Sequence, residues 1–132
     1  MFSLPGAFTP TCSGEELPSY ERHYKKFLEN GIDDLYCISV NDAFVMNAWG
    51  RDLNIHNVKM IPDGCGTFTS NMGMLVAKPK QGFGMRSWRY ACIINDGKVE
   101  AMFEEPGFNN YSDDDDPYDC LLYTSDAADE RH

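Results

Sequence analysis

The chain has no Cys-x-x-Cys pair, few cations and no long apolar run, and each shortage removes a class of function. Eleven Lys and Arg stand against 21 Asp and Glu, for a formal net charge of −10. Nucleic-acid binding depends on cations that neutralise phosphates, so a polyphosphate partner is disfavoured. An anionic membrane surface is disfavoured for the same reason. No window approaches the roughly 20 consecutive apolar residues of a spanning helix, and the first residues lack a basic segment followed by an apolar run. A soluble cytoplasmic protein is therefore expected. The five cysteines (Cys12, Cys37, Cys65, Cys92 and Cys120) are odd in number and scattered, which fits neither a disulfide framework nor a zinc site. Reduced thiols in a reducing compartment fit better. The histidines are not placed as a base for a cysteine hydrolase, because His23 lies too far along the helix that follows Cys12 and His56 reads as a solvated helix-end residue.

What is present is the composition of one globular domain: 132 residues, 42% apolar and 13% aromatic. Phe2–Leu4 reads as the tail of a strand, an apolar stub that runs straight into Pro5-Gly6, so the chain is expected to be truncated at its N-terminus. After Cys12, Leu17, Tyr20, Tyr24, Phe27 and Leu28 recur on one helical face that stops at Asn30-Gly31, with Pro18 as a kink or the true first turn. Leu35–Val40 is suited to a buried strand, Asn41 and Asp42 to capping a helix that carries Phe44, Val45, Ala48 and Trp49, and Val58–Ile61 to a second strand. A variable Gly-rich stretch is expected up to Met85. Trp88–Ile94 and Lys98–Phe103 predict a hairpin closed by Asp96-Gly97, a dipeptide that favours the tight type I′ turn. Strands alternating with helices and ending in a hairpin predict an α/β fold, a mixed sheet with flanking helices. The acidic run Asp113–Asp116 reads as a solvated loop without EF-hand spacing. Cys120–His132 has no relation to the preceding pattern and resembles the translation of a sequencing-library adapter, so it is read as a non-native tail.

The segment Pro5-Gly6-Ala7-Phe8-Thr9-Pro10-Thr11-Cys12-Ser13 carries the chemistry. A helix starting near Cys12 places its sulfur by unpaired backbone N–H groups and the positive end of the helix dipole, which stabilise a thiolate. A turn brings the Thr9 hydroxyl beside that sulfur, with Pro5 and Pro10 stiffening the loop and Gly6 allowing close backbone approach. A fixed guanidinium suits both the thiolate and any negative charge displaced from it. Arg86 and Arg89 are the candidates, and spacing does not choose between them. Cys37 and Cys92 sit in apolar strand runs and read as core. Cys65, between two glycines, is expected to be exposed but is not read as a resolving thiol. Tyr20, Tyr24, Phe44, Trp49 and Trp88 are read as core aromatics.

The pattern Pro5-x-x-x-Thr9-x-x-Cys12 resembles the peroxiredoxin active-site signature, in the form found in the peroxiredoxin 5 (type II) branch. Ser39–Trp49 and Gly84–Tyr90 resemble that branch too, especially the peroxiredoxin part of bacterial peroxiredoxin and glutaredoxin fusions. The resemblance implies a thioredoxin-like fold over residues 1–119, incomplete at both ends. It implies a thiol peroxidase for hydrogen peroxide and small alkyl hydroperoxides that uses no metal, haem or flavin. In it, Cys12 is the peroxidatic cysteine, Thr9 its activating hydroxyl and Arg89 the catalytic arginine, while Pro5, Gly6 and Phe8 line the substrate pocket. With no credible second cysteine, glutathione or glutaredoxin is the implied reductant, and a homodimer through the face around the site is the implied assembly. One departure is Glu16, where many relatives carry His. An acid this near raises the Cys12 pKa where it points inward. The competing readings are a general thiol-disulfide oxidoreductase, against which the missing Cys-x-x-Cys speaks, and a truncated non-catalytic fragment or redox-responsive interaction module.

Overall fold

The computed structural model describes residues 1–108. Asp113–Asp116 and Cys120–His132 lie outside them. In chain order the elements are β1 (Phe2–Ser3), a wide helical turn (Cys12–Glu16), α1 (Leu17–Arg22), α2 (Tyr24–Glu29), β2 (Tyr36–Ser39), α3 (Ala43–Asp52), β3 (Lys59–Pro62), α4 (Thr67–Asn71), β4 (Leu75–Lys78), β5 (Gly84–Ser87), β6 (Tyr90–Asn95) and β7 (Lys98–Glu104). Five strands form one mixed sheet in the order β3-β2-β1-β6-β7, and β4 pairs with β5 alongside it. β1, β2 and β3 are parallel, while β6 runs antiparallel to β1. This is the α/β architecture the pattern predicts, in the thioredoxin-like form the resemblance implies.

Two buried clusters hold these elements together. The larger joins Phe2 and Leu4 to Leu17, Tyr20 and Phe27 from the helices and to Met46 and Trp49 from α3. Phe2 stacks on Tyr20 at a centroid distance of 3.8 Å, which presses α1 onto the sheet beside Cys12. The smaller gathers Met74, Val76, Trp88, Tyr90 and Cys92. Burial of this kind, about 25 cal/mol per Å² of apolar area, is the principal force that positions the site.

Several expectations met a different outcome. The single helix expected after Cys12 is broken at His23, where φ −97 and ψ 10 separate α1 from α2. Pro18 falls in the first turn of α1, and the preceding turn widens so that Leu17 N–H bonds the Cys12 carbonyl five residues back. A proline ring clashes with the carbonyl four residues before it, and widening the turn relieves that clash. Leu28 is 38% exposed and Phe44 86% exposed, so neither joins the core. In α3 the inward face is Met46, Trp49 and Gly50, which turns Phe44 outward. Asp42 caps α3 through a 2.8 Å bond from Val45 N–H, but Asn41 does not. The stretch read as variable contains α4, β4 and β5, short elements hidden between glycines. Asp63 organises their start, since its carboxylate accepts from Thr69 N–H at 2.8 Å and from the Thr69 hydroxyl at 2.7 Å. The hairpin turn forms as predicted, with positive φ at Asp96 (52°) and Gly97 (76°).

Candidate active site around Cys12

The loop before Cys12 is shaped by its own backbone. The Thr9 hydroxyl donates to the Gly6 carbonyl at 2.7 Å, and Ser13 N–H bonds Thr9 O at 2.9 Å. Phe8, between them, adopts φ 63° with its ring 52% exposed. That conformation costs a bulky residue about 1–2 kcal/mol and recurs where a site holds its backbone tightly. Asn41 supplies an external anchor, because its Oδ1 accepts from Ala7 N–H at 3.0 Å and from the Ser39 hydroxyl at 2.6 Å. Pro5, Gly6 and Thr9 are buried, and the Cys12 sulfur is fully enclosed. On its far side the Trp49 indole donates to the Ser13 hydroxyl at 2.8 Å, tying the wide turn to α3.

Both candidate arginines come to this loop, in different ways. Arg89 lies just before β6, is 2% exposed, and directs Nη1 to the Cys12 sulfur at 3.6 Å. The same Nη1 also donates to Glu16 Oε1 in a buried ion pair. Arg86, on β5, is partly exposed. Its Nε donates to Phe83 O at 2.8 Å, and its Nη1 reaches Pro5 O at 3.5 Å. A Cβ added to Gly6 would stand 2.6 Å from that nitrogen, so the glycine is what admits Arg86 to the loop.

The electrostatics correct the expectation of a thiol simply lowered by a helix start. Burial pushes the Cys12 thiol above its ordinary value, the Arg89 guanidinium pulls it back, and the Glu16 carboxylate pushes it up again. Hydrogen bonding to Thr9 and to the Gly6 backbone pulls less. Since the one Thr9 proton is already given to Gly6 O, the guanidinium is the pull that persists. Toward the pocket Thr9 offers a lone pair, which can accept a hydrogen bond from an O–H bound beside the sulfur. Glu16 is pushed from 4.5 up to about 7, chiefly by its own burial and against the opposing pull of Arg89. Cys37 and Cys92 are buried with raised pKa values, as core thiols should be, and Cys65 is exposed. Sequence reasoning flags Glu16 as an acid that raises the Cys12 pKa where it points inward, which it does, but does not find its partner Arg89. Its position four residues after Cys12 on one helical face was the available signal. Nothing in the pattern pointed to Asn41 as a brace for the loop.

A family model described as Redoxin matches residues 1–119. The chain belongs to that family. Its redoxin relatives include the peroxiredoxin of Rhizobium etli, 64% identical over 83% of this chain and 62% of that protein. The hybrid peroxiredoxin hyPrx5 of Haemophilus influenzae is 56% identical over 80% of this chain and 44% of its own length. The chain thus spans about three fifths of the first of these relatives and less of the second. Among solved structures, the Plasmodium falciparum antioxidant protein (1-Cys peroxiredoxin) superposes with a TM-score of 0.90 at 39% identity, covering 98% of this chain and 74% of that one. Reduced Prx3 of Vibrio vulnificus in complex with hydrogen peroxide superposes at 0.77 with 38% identity, covering 93% and 77%. No helix among the described residues is long and apolar enough to cross a membrane.

Proposed function

We propose that this redoxin domain is the catalytic part of a thiol peroxidase that reduces hydrogen peroxide and small alkyl hydroperoxides at Cys12. The observation that carries the reading is the enclosed Cys12 sulfur with Arg89 Nη1 at 3.6 Å and the Thr9 hydroxyl at the turn beside it. The thiolate attacks one peroxide oxygen, the O–O bond breaks, and the departing oxygen takes up a proton to leave as water or alcohol. Arg89 stabilises the sulfur's charge and the charge moving onto that oxygen. Thr9 orients the incoming hydroperoxide by accepting a hydrogen bond from its O–H group. The buried Pro5 and Gly6 line the pocket and the exposed Phe8 forms its rim. The peroxide bound in the Vibrio vulnificus relative supports the substrate class.

The sulfenic acid left on Cys12 is reduced by an outside thiol, glutathione or glutaredoxin, as in a 1-Cys enzyme. Three observations support this: Cys37 and Cys92 are buried, no Cys-x-x-Cys exists, and one structural neighbour is itself named a 1-Cys peroxiredoxin. Pairing of two copies across the exposed rim around Phe8 fits the same reading. The test is a stoichiometric dose of hydrogen peroxide followed by a sulfenic-acid trap and peptide mass analysis. The label is expected on Cys12 and lost in Cys12→Ser, and glutathione is expected to prevent it. Labelling of another cysteine in Cys12→Ser, at the wild-type rate, overturns the proposal.

A further inference from the structure

The shared use of one guanidinium nitrogen has a consequence for when Cys12 is reactive. Arg89 Nη1 serves two acceptors, the Cys12 sulfur at 3.6 Å and Glu16 Oε1. Glu16 is fully buried, and its second oxygen, Oε2, has no hydrogen-bond partner among the described residues. One cation therefore stands between two groups that both want to be anions, in a place water does not reach. Two anions around a single buried cation leave one charge uncompensated, which is costly in low dielectric. The favourable occupancy is one cation, one anion and one proton shared by the two acids.

We propose that Glu16 is a positioning residue that competes with Cys12 for Arg89, so that the sulfur carries the negative charge in the state in which the Glu16 carboxyl carries the proton. In the resting chain Glu16 is the anion and Cys12 the thiol. In the reactive form the proton has left sulfur, the carboxyl holds one, and the site's net charge is unchanged. When the S–O bond forms and the O–O bond breaks, Cys12 becomes a neutral sulfenic acid and the departing oxygen takes up the Glu16 proton to leave as water or alcohol, so that Glu16 is again the anion paired with Arg89. The inference rests on the reading of Cys12 as the reactive thiol and assigns it a regulator. The charged and titratable groups facing Glu16 are Arg89, Cys12, Cys37 and the buried Glu105 from the segment after β7, which adds a further push upward, while the partly exposed Arg86 also acts on Cys12 from the solvent side. The position of the Glu16 titration, raised to about 7, puts the exchange in the neutral range.

Two interacting acids titrate as a pair, not one by one. The rate of Cys12 alkylation by iodoacetamide, read on its own peptide by mass, is therefore expected to rise in two steps with pH in the wild-type chain. The lower step marks the one-proton state and the upper step the loss of both protons. In Glu16→Gln the profile collapses to one step displaced downward by about one unit or more, so that alkylation at pH 6.5 quickens about tenfold. A one-step wild-type profile overturns the proposal without needing any variant to fold. A Glu16→Gln profile identical to wild type overturns it as well. Alkylation involves no peroxide, so the coupling can hold while the peroxidase reading fails. Likewise, loss of the two-step profile with peroxide-dependent trapping intact sinks only the coupling.

Discussion

The two walls of the Cys12 pocket each present a guanidinium, and they differ in almost everything else. The inner wall, built from Arg89 and Glu16, is buried and set beside β6, so its charge acts through low dielectric on the sulfur. The outer wall, built from Phe8 and Arg86, is partly open to water, and its guanidinium is held by the backbone carbonyls of Phe83 and Pro5 and by the face of the Phe83 ring. Proximity to the loop is common to both arginines. What differs is how much solvent screens them, and screening decides which one steers the chemistry.

The sharpest way to break this comparison is Arg89→Ala. Loss of a preorganised donor from an enclosed site costs on the order of 100- to 1,000-fold in rate, so peroxide consumption is expected to fall by at least about 100-fold. A change under about tenfold would leave the inner wall no more important than the outer. The next effect is on stability. The Glu16 pKa is raised in the folded chain, so its contribution is fully present below its ordinary 4.5 and is lost as pH rises to about 7. Lowering the pH across that window should stabilise the wild type relative to Glu16→Gln by up to about 3 kcal/mol, read from denaturant midpoints. A pH-independent difference would mean that Glu16 does not titrate inside the fold. The smallest effect is expected at the outer wall. Partly exposed charges contribute about 1 kcal/mol or less, so Arg86→Ala should slow peroxide consumption about fivefold or less. A loss matching that of Arg89→Ala would erase the distinction.

How much was legible in the sequence follows the same division. Short strands with continuous apolar character, such as Tyr36–Ser39, and the Asp96-Gly97 turn declare themselves locally, and the structure places them within a residue or two of expectation. The loop from Pro5 to Cys12 is equally local, so its residues were named before any geometry. Arg89 and Arg86 were inseparable by spacing, because burial depends on where β6 lies in the sheet, and one chain segment does not carry that information. Glu16 could be flagged but not paired, since its partner comes from 73 positions away. The elements between Asp63 and Ser87 were lost for another reason. Their order rests on the Asp63 carboxylate at the start of α4 and on the β4–β5 pairing, whereas glycine-rich composition pointed to loop.

The wide turn at Cys12–Glu16 also gives the protein an optical signal. A sulfur with no exposed surface cannot meet a second thiol until that turn loosens, and Trp49 is bonded to Ser13 inside it. Loosening releases the indole from the Ser13 hydroxyl and changes the polarity around a buried ring. Trp49 fluorescence is thus a clock for the opening of the turn, readable in real time, and a comparison with Trp49→Phe separates its emission from that of Trp88.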